Sequence, residues 1–132
     1  MKYTFATLDQ WTKKTEKRID AVLKDATQSV VAVAQTSKGH GGRMPVITNT
    51  LRDSLQSSIA GGASGEGESS HILVAPLMEG GDVATFTWTA EYAAAVNNGN
   101  RGRPGAHFVE GAVDQWPAIV RASIRKAKVA VG

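Results

Sequence analysis

His40, His71 and His107 are the imidazoles this chain could turn to metal binding or proton transfer, and each is isolated in sequence from the others and from matching carboxylates. A small cation is held by several donors at once, so a zinc or calcium centre needs ligands at set spacings. Neither a His-Glu-x-x-His spacing nor a calcium-loop pattern occurs. A nucleophilic serine needs a sharp strand-to-helix turn or a partnered histidine, and Gly62-Ala63-Ser64-Gly65 lacks that pattern. The absence of cysteine excludes disulfides, zinc ribbons and thiol catalysis. Among the 12 acids no two are singled out as a glycosidase-type pair. The expectation is a protein that is not an enzyme and needs no metal or cofactor.

What remains is polar recognition. Ser37 to Pro45 is glycine-rich and basic, yet it has no Gly-Lys-Ser/Thr ending and no strand before it, so it is not a phosphate loop. Its composition favours a mobile connection from which Lys38, His40 and Arg43 could touch a polyanion. Glu91 to Phe108 passes from an apolar run, Tyr92 to Val96, through Asn, Gly, Arg and Pro to the anchor Phe108. A loop of that length inside a small domain is usually a binding surface or a flap. Arg101 and Arg103 are its candidate contacts to protein or DNA, while Tyr92 and Phe108 are expected to pin it from below. Arg52, set between Leu51 and Leu55, can leave an apolar face to hold a carbonyl or carboxylate, inside the monomer or on a partner.

These groups need a scaffold, and 132 residues with no composition break make one domain, 1–132. Leu8, Trp11, Thr15, Ile19, Val22, Ala26, Val30 and Val33 recur at three- and four-residue spacing, predicting a helix from a cap near Thr7 to about Gln35. Its end loses its polar face at Val30 to Ala34, so Val30 and Val33 face either the monomer's own core or a neighbouring copy. Thr48 or Thr50 can cap a turn in which Leu51 and Leu55 share a face, and Leu55, Ser57 and Ile59 then alternate as a strand. Gly61 to Ser70 reads as a flexible turn. Ile72 to Ala75 and Val83 to Ala90 read as two strands of a hairpin, with Phe86 and Trp88 on one face. Asp114 is a candidate cap for a last helix carrying Arg121, Arg125 and Lys128 along one side. The fold class is therefore α+β: a long N-terminal and a C-terminal helix packed on a small antiparallel sheet, with long mobile loops. No apolar run reaches membrane-span length and the first residues lack a signal-peptide core, so the chain is expected to be soluble and intracellular when made.

Three ordered groups of residues resemble those of phage tail-completion or head-tail joining proteins, the small neck proteins of long-tailed bacteriophages. The family pattern is a long first helix, Thr-Gly-x-Leu-Arg-x-Ser-Ile, then strands leading to Tyr-Ala-x-x-Val-Glu-x-Gly, then a basic loop and Pro-Phe-Leu before a final helix. Thr48 to Leu55 stand at the first motif, Tyr92, Ala93, Val96, Asn97 and Gly99 at the second, and His107, Phe108 and Val109 at the third. Asn49 replaces the family's Gly, Asn97 its Glu and His107 its Pro. Asn is the side chain that best tolerates a left-handed backbone, which suits position 49. Asn97 removes a carboxylate that could pair with Arg52 and leaves Glu91 as the alternative.

The resemblance implies a structural virion protein, assembled in the host bacterial cytoplasm, that forms a hexamer-type ring at the head-tail junction. Its implied partners are sibling copies, tail-tube or terminator proteins, the head-completion connector, and DNA in the lumen. On that reading Val30, Val33, Arg52, Tyr92, Asn97, Arg101, Arg103 and Phe108 are interface candidates, and Lys38, Arg43, Arg121 and Arg125 are candidates for DNA or lumen contact. The alternative is a small basic nucleic-acid-binding module, motivated by the 101–103 loop and by a tail with four Lys or Arg and no acid after Asp114.

Overall fold

The computed structural model describes residues 5–45, 49–79, 81–100 and 102–131, with the side chains of all but 5–12, 100, 130 and 131. The expected cap at Thr48 and the loop contact at Arg101 lie outside the described residues, as do the side chains of Thr7, Leu8 and Trp11.

Helix α1 (Phe5–Ala34) runs about 45 Å at the usual rise. It starts two residues before Thr7 and stops one short of Gln35, within the ordinary uncertainty of helix ends. A short helix α2 (Thr50–Asp53) leads into strand β1 (Leu55–Ile59), which is central in a three-stranded antiparallel sheet between β2 (Ser64–Glu66) and β3 (Ala84–Trp88). Ser57 faces Gly65 on one side and Phe86 on the other. Helix α3 (Ser70–Val74) and a 3-10 turn (Ala75–Leu77) connect β2 to β3, and helix α4 (Ala93–Asn98) follows. A two-residue ladder of β4 (Gly99–Asn100) and β5 (Arg103–Pro104) precedes helices α5 (Phe108–Val113) and α6 (Trp116–Val131). No helix among the described residues is long and apolar enough to cross a membrane.

The α+β class and the two terminal helices match the sequence, and the strands at Leu55–Ile59 and Ala84–Trp88 carry the expected alternation. Several local expectations do not hold. Ile72 to Ala75 is helical, because His71, Val74, Ala75 and Met78 are the buried positions, a three- and four-residue period and not alternation. The partner of β3 is therefore β1, and no 72–90 hairpin forms. Part of the supposed flexible turn is the edge strand β2. Leu51 and Leu55 are both buried but lie on α2 and β1, not on one helical face. Asn49 has φ −75°, so its place needs no left-handed tolerance. Asp114 ends α5 instead of capping α6, whose first turn holds Pro117, where a missing amide proton costs nothing.

Two apolar clusters hold the layers together. Ala34, Met44, Leu51, Ala93, Phe108 and Ala112 form the first, with Val30, Val33 and Trp88 packed on it. Ile59, Val74 and Met78 form the second, reached from α1 by Leu23. Phe108 is 2% exposed and meets Trp88 edge to face, ring centres 5.2 Å apart. Burial of such a ring contributes on the order of 2–3 kcal/mol.

Candidate assembly surfaces

The C-terminal end of α1 is closed by one side chain that sequence gives no reason to select. Gln35, 3% exposed, donates through Nε2 to the carbonyls of Arg52 and Glu68, each at 3.0 Å, and accepts from the Trp88 indole N–H at 2.9 Å. It ties α1 to α2, to the turn after β2 and to β3 with every amide group in use on those bonds. Nearby, the buried hydroxyls of Ser57 and Ser70, 2.8 Å apart, join β1 to α3. Arg52 lies over the same junction, 3.7 Å from the Glu68 carboxylate. Its partner is thus Glu68 from the glycine-rich turn and not Glu91. This Arg serves the monomer, and its Nε is buried without a hydrogen bond.

Asn97 closes the second junction. It is 8% exposed; its Oδ1 accepts from the Val109 amide at 3.1 Å, and its Nδ2 donates to Glu110 at 2.9 Å and to Asn98 at 3.0 Å. The loop beyond it is a short ladder whose return strand is fixed by the amides of Ala106 and His107, bonded to the carbonyls of Val96 and Asn97. A Cβ at Gly105 would strike the Asn97 carbonyl, so the two limbs approach as only glycine allows. His107 has φ 50°, a backbone that proline cannot adopt, so this position does not accept proline. Its Nδ1 lies 3.5 Å from Glu110. The Glu110 carboxyl is held below its ordinary value by its own backbone amide and by the Asn97 amide, with His107 adding to both.

The remaining sequence candidates fall in different places. Val30 and Val33 are half-buried against the Phe108 cluster of their own chain, the first of the two alternatives for that end of the stripe. Tyr92 is 42% exposed and does not pin the loop; that role belongs to Phe108. Lys38 and Arg103 are the two charged residues of one cleft otherwise lined by Pro45, Ala95, Val96, Pro104, Gly105 and Ala106. Arg43 lies against α5, where a Cβ at Gly111 would fall 2.7 Å from its Cδ. The glycine-rich 37–45 segment is a tight loop, since the backbone groups of Ser37, Lys38, Gly42 and Met44 bond one another and Met44 is fully buried. Arg121 and Arg125 are exposed on α6. No cluster of three metal-ligating side chains exists among the described residues.

An open apolar groove lies along the middle of α1. There α6 packs along it through Ser123, whose hydroxyl donates to Asp25 at 2.6 Å, with Lys126 3.4 Å from the same carboxylate. Above that clasp the helices diverge and leave a groove of about 530 Å³. Ile19, Val22, Leu23, Val120 and Ile124 line it, with Trp116 and Arg18 among the residues at its sides. Ile19 is 57% exposed and Trp116 40%. Ile19 and Val22 were on the α1 stripe read from the sequence, which did not show that α6 would leave them half covered. No family model, curated protein or solved structure matches the chain.

Proposed function

We propose that this chain is a structural subunit of the head-tail junction of a long-tailed bacteriophage, building a ring with sibling copies that joins the tail to the capsid connector and lets DNA pass. The observation that carries the reading is the uncovered apolar groove between α1 and α6. Large apolar patches that a monomer does not bury mark surfaces made to meet protein. Polar groups elsewhere support the same reading, because Gln35 and Asn97 are spent on bonds within the chain and Arg52 pairs with Glu68 of the same chain.

Deletion of the reading frame from the phage or prophage genome tests the proposal. Electron microscopy of the lysate is expected to find DNA-filled heads and separate tails; intact, joined virions would refute it.

A basic nucleic-acid module is favoured by one observation, that Arg121, Arg125 and Lys128 are all exposed on a helix without an acid. Duplex DNA binding that weakens steeply with salt, with a slope reduced by about 0.9 for each phosphate contact removed, would decide for that reading.

A further inference from the structure

Resting on the ring reading, we infer that the occupant of the α1–α6 groove is the α3 face of the next copy, so that subunits join head to tail. Helix α3 and the 3-10 turn after it bury His71, Val74 and Ala75 and turn Ile72, Leu73 and Leu77 outward, 48%, 74% and 60% exposed. This is a convex apolar knob, and none of its residues lines the groove. One molecule therefore carries a hollow and a protrusion of the same apolar character on separate surfaces.

Charge selects how they meet. From Asp53 to Asn100 the chain has six acids and no Lys or Arg, and the exposed Glu79 flanks the knob on one side, with Glu68, which is paired with Arg52, on the other. The groove is built from the opposite sign: over 13–34 and 116–131 nine Lys and Arg stand against three acids. One of those acids, Asp25, is already engaged by Ser123 and Lys126. Pairing groove on groove or knob on knob would place like charges together, which opposes association. Knob in groove sets acidic on basic. An interface between two different patches repeats from copy to copy, and closes into a ring where the rotation allows.

The chain has no cysteine, so single substitutions give single thiols. Leu73→Cys and Ile19→Cys, both at exposed positions, are purified separately, mixed, and treated with a short bis-maleimide. The mixed pair is expected to cross-link on the order of tenfold faster than either variant with itself, through the high effective concentration of docked neighbours. Glu79→Lys in the Leu73→Cys copy should slow that reaction, and Lys128→Glu, at the groove's edge, in the Ile19→Cys copy should restore it. Equal rates for mixed and self pairs, or faster self pairing of either variant, would overturn the head-to-tail mode. That result is separable from the neck reading, which fails only if deletion leaves joined virions.

Discussion

The C-terminal end of α1 and its middle are built on opposite rules. At the Gln35 end each polar group of the capping side chain has a partner, and Met44, Leu51 and Phe108 fill the space beside it. Around Ile19, midway along α1, the Asp25 clasp and the buried Ala26 and Ala127 hold α6 in place, and apolar side chains beside them line an open groove. The closed end is filled and fully bonded; the open stretch leaves apolar surface uncovered within the monomer. The contrast predicts where substitutions will cost stability and where they will cost association.

Gln35→Leu should have the largest effect. It strands the carbonyls of Arg52 and Glu68 and the Trp88 indole N–H in a buried junction. At 1–3 kcal/mol for each orphaned group, the expected loss is about 4 kcal/mol in urea unfolding, allowing for relaxation. A loss no larger than that of a surface substitution would show that the closed end does not depend on this clasp. His107→Pro comes next. It forces a left-handed residue to φ near −65° and removes the amide that bonds the Asn97 carbonyl, at a cost of about 3 kcal/mol or more. His107→Gly, which keeps that backbone, should leave the melting temperature at or above its starting value.

How much of this could be read before the structure depended on the range of the interaction. The α1 stripe and the alternating strands at 55–59 and 84–88 are local periods, written in consecutive residues, and they were legible. The helix at 70–74 was not, because a four-residue apolar run fits a strand or a buried helical turn equally well. Gln35 was visible only as the residue after a stripe; its partners lie 17, 33 and 53 positions away. Asn97 stood out as a departure from a motif, but its ties to Val109 and Glu110, 12 and 13 positions away, were not legible. The groove combines both cases, since Ile19 and Val22 were on the stripe while their exposure depends on where α6 lands.

Acid should weaken the closed end in two steps, a smaller effect than either substitution. His71 is buried with Nδ1 unpartnered, and burial lowers its pKa below the ordinary 6.5. Below that value the unfolded chain takes up a proton that the folded chain resists, so stability present above 6.5 is lost as pH falls toward the folded value. Glu110, also lowered, adds a second loss below its ordinary 4.5, continuing through its folded value. Unfolding midpoints measured against pH should decline through both windows. In His71→Leu the upper decline should flatten, and an unchanged upper limb in that variant would assign it to another group.

Ile19→Ser should have the smallest effect on folding and is the sharpest test of the contrast. Its side chain is more than half exposed, so little burial is lost, and substitutions of that kind usually stay within about 0.5 kcal/mol. If the open stretch is reserved for contact, the same change should still weaken binding of a hydrophobic dye to the isolated chain and slow the Leu73→Cys to groove cross-link when it is carried in the groove copy. A large fall in the unfolding midpoint instead would mean that α1 and α6 rely on this residue to stay together, and the groove would then be part of the core, not a surface kept free.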